Sequence, residues 1–172
     1  DLRSEGIDLA IRYTPPALAP AGALRLFGET VAPVAHPSLG LDALDGAAAF
    51  AGLCLLDFDD PQHPWLQWRG WLASAGWADA RPQAALHFNQ YDQLIQAALA
   101  GQGVALGRLE LIGPLLADGR LVRVATPAPA QPSGHAYWLV QADGAPREEV
   151  RQVAAWLLDE AGRSSEAGSA VA

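Results

Sequence analysis

Chemistry in this chain would have to come from a few recognisable groups of residues. Gly101, Gly103 and Gly107 crowd into "QAALAGQGVALGRLE", residues 96–110, beside apolar neighbours, as glycines do in phosphate-binding loops. Such loops follow a strand and open a helix, so that free helix N–H groups face the pyrophosphate. Here the pattern reads helix, glycines, strand, and the spacing is G-x-G-x-x-x-G rather than G-x-G-x-x-G. Gly101 is therefore expected to cap a helix, and Gly103 to let the chain turn into a strand.

Asp57, Asp59, Asp60 and His63 share "DFDDPQH". A hard cation needs several oxygens converging on it, often with a glycine to bend the backbone. This segment has no glycine and is stiffened by Pro61 and Pro64, so a solvated acidic turn is expected. His36, His63, His87 and His135 share no spacing of the H-E-x-x-H kind, which leaves a zinc site unsupported. No serine lies in a G-x-S-x-G elbow. Ser38 follows Pro37 in a loop with nothing nearby to activate it, and Cys54, inside "GLCLLDF", reads as a buried, inert thiol. Trp65, Trp68 and Leu72, at helical spacing, read as core. No catalytic set emerges, and no enzyme, cofactor or metal is expected.

The elements that must position any site follow from periodicity. "GIDLAIRY" alternates as a strand, with Ile7, Leu9, Ile11 and Tyr13 on one side. After the proline-rich "TPPALAPAG", an extended pattern resumes in "LRLFGETVAPVAHP", and "SLGLDALDGAAAF" reads as a short helix. "LCLLDF" is a buried strand, "PWLQWRGWLASAG" a helix with Trp65, Trp68, Leu72 and Ala75 on one face, and "PQAALHF" another strand. In "NQYDQLIQAALAG", Tyr91, Leu94, Ile95, Ala98 and Leu99 form an amphipathic helix face, with Asn89 as its expected N-cap and Asp92 three residues on. "GVALG" is a strand, "LELIGPLLADG" a helix and "RLVRVA" a strand. The loop "TPAPAQPSG" leads to the strand "HAYWLVQA". The last helix, "PREEVRQVAAWLLDEAG", should bury Val150, Val153, Ala154 and Leu157, leaving 163–172 as a disordered tail. Strand and helix alternate almost throughout, which argues for an α/β fold with a parallel sheet and helices on both faces. In such sheets ligands sit outside the carboxyl ends of strands. That singles out Asn89, Gln90 and Tyr91, where "AALHF" gives way to a helix.

Composition bounds the function. The 172 residues are 51% hydrophobic and 17% charged, enough to bury a proper core, and no apolar run reaches the roughly 18 residues of a membrane span. There is no leader pattern, and Asp1 in place of methionine suggests a fragment or processed product. All 11 basic residues are arginines scattered singly, and the net charge is −8. Nucleic-acid surfaces need clustered positive charge, so the chain alone is expected to be a poor DNA binder. A single cysteine excludes an internal disulfide, in agreement with a cytoplasmic setting.

"GIDLAIRY", "GETVAPVAHPSL", "FNQYDQLIQAALAGQGVALGRLELIGPLLADGRLV", "YWLV" and "VAAWLLDEA", taken in order, resemble the effector-binding region of LysR-type transcriptional regulators. The subgroup holding the glycine-cleavage activator and the β-lactamase regulator is the most similar, and "WRGWLASAG" fits it too. The resemblance covers nearly the whole chain, to about Gly162. It implies a two-lobed, type II periplasmic-binding-protein-like α/β fold with an effector held between the lobes. The first lobe would be 1–33 with 133–162, incomplete because its opening strands and helices have no counterpart here. The second lobe would be 34–132.

On that mapping the expected effector contacts are Thr14, Phe88, Asn89, Gln90 and Tyr91, with Leu106, Gly107 and Tyr137 beside them. The implied partners are a small metabolite, such as an amino acid or small organic acid, and further copies of the chain in a full-length homo-oligomer. DNA would be bound only through an N-terminal helix-turn-helix absent from this sequence, in a cytoplasmic protein with no membrane contact. The alternative is a solute-binding protein of a transport system, which shares the fold.

Overall fold

The computed structural model describes residue 2 and residues 5–127, 130–142, 144 and 146–169. Among the described residues, seven strands and four α-helices follow one another as β1 (Leu9–Thr14), β2 (Leu24–Ala35), β3 (Cys54–Phe58), α1 (Trp68–Ser74), β4 (Ala84–Phe88), α2 (Tyr91–Leu99), β5 (Val104–Arg108), α3 (Gly113–Ala117), β6 (Val122–Arg123), β7 (Gln131–Gln141) and α4 (Glu148–Ser169). The chain divides into two compact units. The first is Asp1–Thr30 with Pro132–Ala172, and the second is Val31–Gln131. The chain passes between them twice, within β2 and at the start of β7.

In the first unit β7 lies between β1 and β2. The β1–β7 pair is antiparallel, with Leu9 opposite Gln141, Tyr13 opposite Tyr137 and Thr14 opposite Ala136. Helix α4 buries Val150, Ala154 and Ala161, whereas Val153 and Trp156 stay 48% and 58% exposed. Val153 was expected on the buried face. The covered flank instead runs through Val150, Ala154 and Ala161, with Leu157 and Leu158 half-buried beside it. It also continues to Ser169, through most of the stretch expected to be a disordered tail. Residues 170–172 of that tail lie outside the described residues.

In the second unit the order is β2-β5-β3-β4, with β6 also paired to β2. Successive residues of a strand face opposite sides of a sheet, and here the two sides hold separate cores. Val31, Ala35, Leu55, Val104 and Leu106 pack with Phe50, Leu66, Trp68 and Leu72. Ala32, Val34, Leu56 and Ala105 pack with Leu94, Ile95, Ala98 and Ile112. Each fully covered Leu, Ile, Val or Phe contributes about 1.5–3 kcal/mol relative to its exposed state. Helix α1 therefore holds one face and α2 the other.

The sheet is mixed rather than parallel. Among the described pairs, β3–β4 and β3–β5 run parallel, while β1–β7, β2–β5 and β2–β6 are antiparallel. Alternation of strand and helix fixes direction only where a crossover helix links neighbouring strands. Among the described residues no α-helix intervenes between β2 and β3. Residues 38–50, expected as a short helix, form two 3₁₀ turns, Pro37–Leu39 and Ala47–Phe50, separated by extended chain. Ala43 bridges Ala125 there, Leu44 N–H donates to Ala125 C=O, and Gly40 takes a left-handed φ of 59°. Those strand-like hydrogen bonds and the glycine stop outcompete a helix.

The tryptophan-rich helix is likewise split. Pro64–Leu66 is a 3₁₀ turn, Gln67 is extended, and α1 starts at Trp68. Trp68 and Leu72 are buried on α1, while Trp65 sits on the preceding turn and Ala75 at the C-cap. The helix expected over "LELIGPLLADG" is reduced to α3, and β7 starts inside the expected loop "TPAPAQPSG", whose residues 128 and 129 lie outside the described residues.

Candidate functional site

The carboxyl ends of the three parallel strands bring the most chemistry together. Strands β3 and β4 run in register to Phe58 and Phe88, and Asp59 N–H donates to Phe88 C=O at 2.8 Å. Strand β5 ends beside them at Arg108. Helix α2 leaves β4 through Asn89 and Gln90, both exposed, and opens with Tyr91. Its N-cap is Gln90, extended at φ −126° and ψ 124° with no side-chain cap, so Asn89 is not the cap that its type suggested. The helix begins one residue later because Gln90 C=O already accepts from Leu94 N–H.

Tyr91 ties this corner together. Its hydroxyl accepts the Arg108 backbone N–H at 2.7 Å and lies 3.4 Å from Leu106 C=O. Its ring meets Phe58 edge-on at 5.7 Å, and the Arg108 guanidinium stands 5.4 Å from the ring centre. Phe58, Phe88, Tyr91 and Arg108 are all half-buried. Leu106 is 3% exposed and belongs to the core. A Cβ on Gly107 would lie 2.7 Å from both Ile112 Cδ1 and Val34 Cγ1. These two residues of β5 therefore offer a ligand backbone at most. Arg108 is the residue that sequence reasoning missed. Its place at the end of the strand "VALG" was legible, but its meeting with Tyr91 was not.

In the first unit the structure places the other expected contacts, Thr14 and Tyr137. Thr14 ends β1, and its carbonyl accepts the Trp138 indole N–H at 3.0 Å. The Tyr137 ring is packed between Tyr13 at 4.9 Å and Phe27 at 4.8 Å, and Tyr13 also stacks on His135 at 5.0 Å. The Tyr13 hydroxyl donates to Glu29, a carboxylate only 2% exposed. Nothing in the sequence pattern marked Glu29, because burial of a carboxylate is decided by the strands around it.

The remaining groups do structural work. Asp57 accepts the Trp68 N–H at 2.8 Å at the start of α1 and lies 3.5 Å from His87. Asp60 accepts Gln62 N–H at 3.0 Å and meets His63 at 2.6 Å. Ser38, expected to have no base near it, has the His36 ring 2.7 Å from its hydroxyl. The same nitrogen accepts the Ser38 backbone N–H, so His36 acts as the cap of a 3₁₀ turn. Cys54 is half-buried rather than buried.

Packing of Ile112 and Val34 accounts for Gly107, and backbone accounts for the other two glycines. Gly101 has φ 70°; its N–H donates to Ala98 C=O, and Gln102 N–H donates to Ala97 C=O. Those two bonds form the Schellman closure of α2. Gly103 passes so close to β3 that a Cβ would lie 2.3 Å from Cys54 C=O.

The family model for the LysR substrate binding domain matches residues 1–162. The chain belongs to the LysR substrate-binding domain family. It is 26% identical over 161 residues to the HTH-type transcriptional activator AmpR of Enterobacter cloacae, covering 92% of this chain and 53% of that protein. Among solved structures it is similar to the effector domain of the transcriptional regulator AmpR of Pseudomonas aeruginosa, with a TM-score of 0.63 and 24% identity over 96% of this chain and 77% of that one. It is also similar to the AmpR effector binding domain of Citrobacter freundii, with a TM-score of 0.66 and 23% identity over 95% and 78%.

This LysR domain spans about half the length of the curated relatives it matches. Its mixed α/β fold is that of LysR effector-binding domains, of the type II periplasmic-binding-protein-like class. The match favours a ligand-sensing domain over a transport solute-binding protein, and the family and the matched relatives are transcriptional regulators rather than enzymes. No described helix is long and apolar enough to cross a membrane.

Proposed function

We propose that this domain is the effector-sensing part of a bacterial LysR-type regulator and that it works by binding, without chemistry of its own. A small metabolite favours one arrangement of the domain over another. That bias reaches DNA through a helix-turn-helix elsewhere in a homo-oligomeric, cytoplasmic protein. The size of the response is limited by the ligand's differential affinity for the two arrangements. The observation that carries this reading is the family match over residues 1–162, together with polar and aromatic groups gathered at the carboxyl ends of β3, β4 and β5.

The effector is proposed to be an amino acid or small organic acid. Asn89 and Gln90 are exposed and available to orient it, while Phe88 and Tyr91 give apolar contact. Leu106 and Gly107 contribute backbone, and Thr14 and Tyr137 are the corresponding candidates in the first unit. The double substitution Asn89→Ala with Tyr91→Ala in the full-length regulator is expected to abolish the response to inducer and leave basal DNA binding intact. An unchanged dose response would show that the effector binds elsewhere. A thermal-shift screen of an intact sensor region against amino acids and small organic acids would identify the inducer class.

A further inference from the structure

We infer that the outer edge of β4 docks a second copy of this chain, the two β4 strands pairing antiparallel about a two-fold axis at Leu86. The contact shares Phe88 with the proposed effector surface but does not depend on what binds there. Strand β4 ends the order β2-β5-β3-β4, and among the described residues it is paired with β3 alone. Ala84, Ala85, Leu86 and His87 are all exposed, Leu86 at 43%. Edge strands that stay single are usually guarded by a charge, a proline or a bulge. Residues 84–88, AALHF, hold no proline and no Asp, Glu, Lys or Arg, and their register with β3 is unbroken.

The backbone fixes which groups face outward. Ala84 N–H donates to Leu53 C=O at 3.4 Å, and Phe88 C=O accepts Asp59 N–H at 2.8 Å. In a parallel ladder both groups of a residue serve the same neighbour, and alternate residues turn theirs away. Ala84, Leu86 and Phe88 therefore serve β3, and Ala85 and His87 present N–H and C=O outward. A two-fold at Leu86 sets Ala85 opposite the partner's His87 as a hydrogen-bonded pair, repeated by symmetry. It also pairs every residue of the strand, which no register shifted along the edge does. Leu86 then meets the partner's Leu86, and the Phe88 ring lies opposite the methyl group of the partner's Ala84. These apolar pairs extend the core face to which Leu56, the β3 neighbour of Leu86, belongs.

Charge selects the antiparallel copy as the occupant. Exposed Arg81 precedes β4, whereas exposed Asp59 and Asp92 stand at its far end, Asp59 through its bond to Phe88 and Asp92 in the first turn of α2. Antiparallel pairing carries each Arg81 toward the partner's Asp59 and Asp92, while parallel pairing would set like ends together. Arg81 uses one N–H on Ala80 C=O at 3.0 Å, and a guanidinium has several more donors. The net charge of −8 opposes association in general. One short strand also covers less than the roughly 800 Å² per partner of a standard interface. The dimer is therefore weak and forms at high concentration.

The test is cysteine cross-linking of the 172-residue chain under mild oxidant, with the native thiol removed by Cys54→Ala. Two Leu86 Cα atoms in a non-hydrogen-bonded pair would lie about 4.5 Å apart, within disulfide reach. Leu86→Cys is expected to form a covalent dimer at least about 10-fold faster than Leu39→Cys, since docking raises the effective thiol concentration. Leu39 is the control because it is 39% exposed in the same unit. Ala84→Cys and Phe88→Cys should each stay monomeric alone, with like residues roughly 14 Å apart across the axis, and should link when mixed. In sedimentation velocity without oxidant, Leu86→Lys sets like charges opposite each other and is expected to weaken association at least about 3-fold. Arg81→Glu is expected to weaken it by about 2- to 5-fold.

All the replaced side chains except Phe88 and Cys54 are exposed, and melting curves matching the wild type confirm that each variant is folded. Leu86→Cys linking no faster than Leu39→Cys overturns the docking surface. So does Ala84→Cys linking alone, as parallel or random contact would produce, or association that neither Leu86→Lys nor Arg81→Glu weakens. Association that Ile11→Lys abolishes and Leu86→Lys leaves intact would place the contact on β1 instead.

Discussion

Replacing Gly103 by alanine adds one methyl group at the turn into β5, and the geometry states where it lands. The new Cβ would sit 2.3 Å from the carbonyl oxygen of Cys54 and 3.2 Å from Leu56 Cδ2. Gly103 does not have a positive φ, so alanine can adopt its backbone. Taken alone, that would stabilise the fold by about 0.4–1 kcal/mol through a less disordered unfolded chain. The obstacle is a backbone oxygen of β3, which no rotamer change can move aside. Relief requires β5 to draw away from β3, loosening the pairs Leu55–Val104 and Leu56–Ala105. Overpacking of this kind costs about 1–3 kcal/mol, toward the upper end when backbone must shift. The expected net loss is about 1–2 kcal/mol, a fall in Tm of roughly 2–8 °C for a chain of this length. Circular-dichroism melts measure it, with hydrogen exchange at Val104 and Ala105 reporting the local loosening. Gly52→Ala is the control, because nothing lies within 4 Å of its Cβ. If Gly103→Ala melts with the wild type, the glycine is not there for close approach of β5 to β3, and the structural reading of the cluster is wrong.

Gly101→Ala should cost about 1 kcal/mol for a left-handed φ of 70° at the end of α2, seen as a Tm lower by roughly 2–4 °C, and an unchanged Tm would refute the cap. Tyr13→Phe strips a hydroxyl donor from buried Glu29 and is expected to cost about 1–3 kcal/mol in urea denaturation. A double-mutant cycle with Glu29→Gln should then show positive coupling, and additive effects would mean that the bond carries no net stability. Strand β1 lies at one end of the strand order with Ile11 53% exposed, and Trp156 is 58% exposed in the same unit. The chain is expected to self-associate in sedimentation velocity, and Ile11→Lys to reduce it, since a charge on an edge strand opposes pairing. A monodisperse monomer at high concentration would contradict this.

Legibility in the sequence followed how local the deciding physics was. Helix α2 was readable because its apolar positions, its first-turn Asp92 and its closing Gly101 all lie within a few residues of one another. Its start was misplaced by one residue because Asn89 and Gln90 are both competent to flank a helix. The choice depends on where the chain leaves β4. Residues 38–50 were misread because their leucines fall at helical spacing while the bond that settles them is made to Ala125, far along the chain. Val153 was placed on the wrong face of α4 for a similar reason. Periodicity marks the apolar residues without saying which flank the sheet will cover.

At the site, Asn89, Gln90 and Tyr91 could be named from a strand-to-helix junction alone. Arg108 could not be matched to them, because β5 meets Tyr91 only once α2 has packed back over the sheet. The sequence by itself determined the alternation of strand and helix, the glycine stops and the family, since these rest on short-range pattern and residue order. Tertiary structure alone decided strand direction, the burial of Glu29 and the meeting of Tyr91 with Arg108. Each of those depends on contacts between segments distant in the chain, for which local composition carries no signal.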